Sequence, residues 1–329
     1  MAIFSAMRRI KPLFYLGLLS FLSLDCVETV ISVRLLPDGH YTLRFQSKGD
    51  STDVFDDDFP HPLSDDWTRS VQQQENDGNK VWTLNTHGLF SGSIAFPQGS
   101  NSAIDLNHSI NVTKTDGWIA THYKLEYRFR GREAFRKYPQ FAKQIRGVSS
   151  DSTQWISEVL TFIVSAGMDD LQLSVQQAID PDLAERIKNH IQGYFIHIKE
   201  KELFDELSRD FLRNAFGPFL NQLPQDYVES VKGAMAPYEQ EWRITSGLAD
   251  DNIRLYAFLP GVITTHNADA ISGDTLKWKF GLEQFLNDDY NIRAASIVYS
   301  PRQIQAVILG LTALFLLFLW IIFKTRNKQ

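Results

Sequence analysis

Cysteine is all but missing from this sequence: Cys26 stands alone in 329 residues. A single thiol excludes an intrachain disulfide and every cysteine-rich zinc site. The chain also lacks a Gly-x-Ser-x-Gly elbow, a Walker loop and a dinucleotide fingerprint, so none of the common nucleophile or phosphate-cradling motifs gives a lead. Its eight histidines show neither His-x-x-x-His nor His-Glu-x-x-His spacing, and neither a metal site nor a cofactor is expected. His190 and His197 lie seven apart on one prospective helix face, where packing or surface roles suffice. The acidic cluster Asp50, Asp53, Asp56, Asp57, Asp58, Asp65 and Asp66 lacks the Asp-x-Asp-x-Asp-Gly spacing of a calcium loop and reads as solvated chain. Catalysis is not thereby excluded, because the members of a triad can be scattered along a chain.

What is present is concentrated at the two ends. Arg8, Arg9 and Lys11 precede Pro12–Leu24, an apolar run broken by Gly17, Ser20 and Ser23. A basic segment followed by so short an apolar one reads as a secretory signal over residues 1–25 rather than a membrane span. At the other end, Ile304–Phe323 has Gln305 as its only strongly polar member. As a helix rising about 1.5 Å per residue it covers roughly 30 Å, the thickness of a bilayer core. No polar face exists on it, which sets aside a buried core helix. We therefore place a transmembrane helix at 303–323. Lys324, Arg326 and Lys328 follow it, whereas Arg302 alone precedes it closely. That asymmetry puts the tail, 324–329, in the cytoplasm and the large domain on the periplasmic or extracellular side.

Six of the 33 basic residues (Arg8, Arg9, Lys11, Lys324, Arg326 and Lys328) and one of the 39 acidic ones (Asp25) lie in these ends, so residues 27–302 carry a net charge of −11. A domain this acidic is a poor partner for nucleic acid, since phosphate neutralisation needs a basic surface. Cys26 directly follows the signal. One reading makes it the lipid-modified first residue of a lipoprotein, although Asp25 is a poor residue before the cut. The other readings are a buried thiol near the first strand or an uncleaved N-terminal anchor.

Between the ends the pattern is strand, helix, strand. Val30–Leu36 and Tyr41–Phe45 flank Pro37-Asp38-Gly39-His40, a strong hairpin signal. Residues 49–78 lose periodicity and read as a long exposed loop. Strand-like runs resume at Val81–Leu84, Ser91–Phe96, Ile104–Val112 and Trp118–Phe129, with Asp116-Gly117 turning the last pair. Leu183, Ile187, Ile191, Tyr194/Phe195 and Ile198 then recur at helical spacing, and Leu203, Leu207, Phe211, Phe216 and Phe219 continue it. A further short helix is expected over Asp226–Met235, stopped by Pro237. Strands return at Ile253–Phe258, Val262–Thr265, Thr275–Phe280 and Ile292–Tyr299. The expected fold is α+β, an antiparallel β-rich exported domain whose halves, 26–150 and 242–302, flank a helical insertion at 151–241.

Leu259-Pro260-Gly261-Val262, His266-Asn267-Ala268, Gly273-Asp274-Thr275-Leu276-Lys277-Trp278, Ala295-Ser296 and the membrane helix with its basic end together resemble the LppM-like group of bacterial envelope proteins. The resemblance covers 242–329, the signal and the first hairpin. It implies an exported domain, often lipidated at its N-terminus, with one C-terminal membrane helix. It also implies a sheet-and-helix fold that contacts lipid or glycolipid. Physically, the Pro-Gly and Asn-to-Gly segments set turns between strands, and Trp278 fills the core between them.

One internal stretch departs from the acidic average. Lys124, Arg128, Arg130, Arg132, Arg136, Lys137, Lys143 and Arg146 interleave with Tyr127, Phe129, Phe135, Tyr138 and Phe141, against only Glu126 and Glu133. Arg128, Arg130, Arg132, Arg136 and Lys137 are the candidate contacts for anionic headgroups. The alternative is a strand with core aromatics and solvated arginines. The function expected is a non-enzymatic, membrane-anchored envelope protein that binds lipid, glycolipid or an envelope protein. An envelope hydrolase and a structural subunit of a membrane complex are the competing readings.

Overall fold

The computed structural model describes residues 28–55, 58–76, 79–97, 104–148, 154–174, 178–197, 211–249 and 251–326. Residues 1–27, which hold the expected signal and Cys26, lie outside the described residues. The architecture is α+β, with two largely antiparallel sheets, several helices and an apolar C-terminal helix. Strands β1 (Glu28–Leu35) and β2 (Tyr41–Gly49) form the expected hairpin, with Leu35 opposite Tyr41. They continue through β4 (Asn79–Phe90) to the edge strand β3 (Thr68–Asn76). On the other side β1 pairs in parallel with β8 (Asn252–Phe258), which leads to β11 (Thr275–Phe280) and β10 (Ala270–Ser272). The second sheet runs β5 (Ser93–Phe96), β6 (His108–Asp116), β7 (Ala120–Phe129), β12 (Tyr290–Tyr299) and β9 (Val262–His266). Each sheet thus takes strands from both sides of the helical block.

Alternation dictates which faces meet. Ile31, Val33, Tyr41, Leu43 and Phe45 of one sheet and Ile110, Leu125, Tyr127, Phe129 and Ile292 of the other are fully buried in one apolar cluster. Phe45 meets Phe96 edge-on with ring centroids 5.4 Å apart, and Phe129 meets Phe280 at 5.0 Å. Trp278 is buried as expected, and its indole N–H donates to the Asn267 carbonyl and side-chain oxygen at 3.1 and 3.2 Å. Gly261, in the Leu-Pro-Gly-Val motif, has φ +82°, and a Cβ there would strike the backbone of Ile297. Gly261→Ala should therefore lower stability by about 1–3 kcal/mol in a denaturant titration, the cost of a non-glycine residue held in the left-handed region.

The helices pack beside the sheets. We label the five used below α1 (Pro139–Ile145), α2 (Gln154–Gln172), α3 (Pro181–His197), α4 (Tyr227–Gly247) and α5 (Pro301–Arg326). In α3 the spacing holds: Leu183, Ile187, Ile191 and Phe195 are buried. Ile198, Leu203 and Leu207 lie outside the described residues. Tyr138, Phe141 and Trp242 meet edge-to-face and Trp155 packs tilted against Phe141 and Trp242, a cluster joining α1, α2 and α4.

Three local expectations are corrected. The segment 49–78 is not loop throughout, because Thr68–Asn76 is the edge strand β3. Its residues from Thr68 to Glu75 are exposed on both faces, so no apolar alternation is required of them. Pro237 does not stop its helix, since α4 runs through it to Gly247. A proline inside a helix costs about 3 kcal/mol, and burial of Val231, Met235, Trp242, Ile244 and Leu248 around it offsets that. Strand β6 begins at His108 rather than Ile104, because the carbonyls of Ile104 and Asp105 accept hydrogen bonds from Arg132 instead of a neighbouring strand.

Candidate functional site

The basic stretch divides according to the strand it begins on. Along β7 the side chains at even positions point outward, so Lys124, Glu126 and Arg128 share the outer face of the five-stranded sheet. Register brings partners from distant sequence: Arg128 lies between Ser109 and Asn291, and Glu126 between Asn111 and Arg293. These residues, with Ile292, line a polar depression of about 260 Å³. Arg128 is ion-paired with Asp289, whose other oxygen accepts from the Gly131 N–H at 2.9 Å. Lys124 holds Glu126 at 2.7 Å, and that bond, with the nearby Arg293, lowers the Glu126 pKa. Arg130 follows at the end of the strand and is exposed. Ser109, Asn111, Asn291 and Arg293 escaped the sequence reading, since only cross-strand register brings them beside Arg128.

Past Phe129 the chain turns inward. The backbone N–H groups of Arg132, Glu133 and Ala134 donate to the carbonyls of Phe285, Asn287 and Leu286. That seam fixes Arg132 inside the molecule, with only 3% of its side chain exposed. Its guanidinium donates to Thr245 Oγ1 at 2.9 Å, to the carbonyls of Asp105 and Ile104 at 2.9 and 3.0 Å, and to that of Glu241 at 3.0 Å. The Glu241 carboxylate lies 3.9 Å away and is also ion-paired with the largely buried Lys137. As headgroup contacts Arg132 and Lys137 are therefore corrected, because both are spent on the junction between the sheet and α4. Arg136 is exposed and ion-paired with Glu133 three residues earlier. Arg146 stacks over the Phe135 ring at 4.3 Å.

Two histidines are buried, and one of them, His61, superficially resembles catalytic machinery. His61 Nε2 is 3.0 Å from Ser47 Oγ, and its Nδ1 is 2.8 Å from Thr86 Oγ1. The third position holds a hydroxyl rather than a carboxylate, Thr29 Oγ1 continues the chain from Ser47 at 3.0 Å, and all four side chains are buried. This is a satisfied interior network. Burial, with Arg69 nearby, lowers the His61 pKa to about 4. His108 stacks between Phe96 and Phe129 and bonds the Tyr127 hydroxyl at 2.8 Å, and burial lowers its pKa to about 3. Both imidazoles are neutral at pH 7. Among the described residues no group of three His, Cys, Asp or Glu is placed to hold a metal ion.

The helix α5 is long and apolar enough to cross a membrane over Pro301–Phe323, with a mean hydropathy of 2.8 and none of its most apolar stretch buried against the domain. It starts two residues after β12 ends, so the five-stranded sheet and the apolar helix are joined by Ser300 alone.

No protein-family model matches this chain, and no curated protein does. Among solved structures the chain is similar to the NMR structure of the folded domain of LppM from Mycobacterium tuberculosis. The alignment covers 84% of this chain and 92% of that one at 12% identity, with a TM-score of 0.27. At these values the likeness assigns no residue and no ligand.

Proposed function

We propose that this chain is a single-pass envelope protein, with its domain on the outer side and its tail in the cytoplasm, that binds an anionic headgroup in the groove of the five-stranded sheet. The observation that carries the reading is the meeting of Arg128 and Arg293 in one polar depression, with Arg130 exposed beyond it. Glu126 lines the same depression and Asp289 pairs with Arg128, so an anion bound there replaces or shares those carboxylate contacts. The apolar helix supplies the anchor, and Lys324, Arg326 and Lys328 behind it favour a cytoplasmic tail. No reaction is assigned, because the hydroxyl–imidazole pair described above is interior.

The position of the groove narrows the ligand. Asn291 stands eight residues along β12 from Tyr299, or about 27 Å at about 3.4 Å per residue. A domain standing on its tether holds the groove well above the phosphate plane. The extended headgroup of an anionic glycolipid fits that height better than a simple phospholipid. The test is native mass spectrometry of the full chain extracted with its lipids. The expected result is a retained anionic glycolipid that is lost as salt rises, since the attraction is screened over about 10 Å at 0.1 M. Each arginine is worth about 1 kcal/mol, so Arg128→Gln with Arg293→Gln should weaken retention roughly 30-fold. Arg132 and Lys137 stay intact in that variant, because they support the fold. Absence of retained lipid, or equal retention by the variant, would overturn the proposal.

A further inference from the structure

The end of the five-stranded sheet nearest the apolar helix carries an exposed hydrophobic tip. Trp118 and Ile119, in the turn between β6 and β7, are 64% and 40% exposed, Tyr299 at the end of β12 is 52% exposed, and Val262 at the start of β9 is 61% exposed. They come from three separate strand ends, yet register gathers them. Ala120 pairs with Tyr299, and Ile297, two residues earlier on the same face, pairs with Val262. The turn is held in shape: the Gly117 N–H donates to the Ala120 carbonyl at 2.9 Å, and the Thr121 hydroxyl donates to Asp116 at the same distance. It is also tied to the helix. The Ser300 N–H donates to the Ile119 carbonyl at 2.8 Å, and the Ser300 carbonyl accepts from Ile304 N–H at 3.1 Å.

One residue, Ser300, therefore bonds both the Trp118 turn and the first turn of α5. At about 1.5 Å per residue, the four residues to Ile304 separate the turn from the start of the apolar segment by roughly 6 Å along the axis. Tryptophan and tyrosine at that depth sit where amphipathic rings are favoured, at the boundary of headgroups and acyl chains.

We infer that the β6–β7 turn is a second membrane contact: Trp118, Ile119, Tyr299 and Val262 enter the lipid interface beside the helix and fix how the domain stands on the bilayer. The occupant of this patch is lipid, because the patch is continuous with the helix that enters it. The inference rests on the reading that α5 spans the membrane. With both contacts engaged, β7 and β12 rise away from the bilayer, and the Arg128 groove lies at their far end.

The full chain in phosphatidylethanolamine–phosphatidylglycerol liposomes tests this, using lipids brominated at the shallow end of their acyl chains to quench tryptophan on contact. Seven tryptophans are present, and Trp320 lies within α5, so two variants separate the contacts. Trp320→Phe should retain a quenched component contributed by Trp118, and adding Trp118→Phe should remove it. Trp118→Phe alone should keep the quenching contributed by Trp320. If Trp118→Phe is quenched but Trp320→Phe is not, the helix spans and the turn stays in water, so the inference is wrong while the anchor stands. If neither is quenched, both fail. Quenching that persists in the double variant also overturns the inference, because it comes from another tryptophan.

Discussion

Arg132→Met should destabilise the domain by about 4 kcal/mol or more, whereas Arg130→Met, two residues away, should change stability by no more than about 0.5 kcal/mol. Composition gives the two arginines equal standing. Position separates them: Arg130 is exposed, and Arg132 is enclosed with four hydrogen bonds to Thr245 and to the carbonyls of Ile104, Asp105 and Glu241. Removing the guanidinium takes four charge-assisted hydrogen bonds from this junction, although the Asp105 and Glu241 carbonyls still accept from Asn107 and from the Thr245 hydroxyl, and it deprives Glu241 of one of its two cations. Each buried polar group left unsatisfied costs about 1–3 kcal/mol. Glu241→Gln should be nearly as damaging, because it strands Arg132 and Lys137 without a counter-charge. Urea titration of the full chain in detergent micelles, followed by tryptophan emission, reads all three. Equal stability of the Arg132 and Arg130 variants would show that the sheet–helix junction is not held as described.

The second large effect is acid lability. His61 and His108 have folded pKa values of about 4 and about 3, against about 6.5 in an unfolded chain. Below pH 6.5 the unfolded state takes up protons that the folded state refuses. The stability these residues contribute is therefore complete above pH 6.5 and is lost as pH falls toward the folded values. Between pH 7 and pH 4 the two together should remove on the order of 5 kcal/mol. His108→Phe keeps the aromatic stack but deletes one titration. It should be about 1 kcal/mol less stable at pH 7, since the Tyr127 hydroxyl loses its hydrogen-bond partner. It should then lose roughly half as much as wild type on acidification. A flat profile from pH 7 to pH 4, or an unchanged slope in the variant, would contradict the burial of these rings.

The strands that sequence revealed are those with one face buried. Val30–Leu36, Tyr41–Phe45 and Thr275–Phe280 alternate because one side of each meets the core. Strand β3 was hidden for the opposite reason: with both faces exposed, Gln72, Gln73 and Gln74 are as acceptable as any alternation. Asp77-Gly78, a two-residue hairpin signal, was the cue that could have located it. Pro237 does not end α4, because tertiary burial along the helix outweighs the local rule. In the site, the basic excess was legible but its partition was not. Whether an arginine faces water or Glu241 depends on a seam with residues 285–289, some 150 positions downstream. Arg293 and Asn291 became visible as partners of Arg128 only through the β7–β12 register.

The envelope reading depends on one placement, with the folded domain outside and the tail inside. The most direct measurement is protease added to intact spheroplasts of cells expressing the full chain with an epitope tag after Gln329. The account predicts that the domain is digested while a short tagged fragment containing α5 survives until the membrane is permeabilised. Loss of the tag from intact spheroplasts with survival of the domain would reverse the orientation and contradict the account.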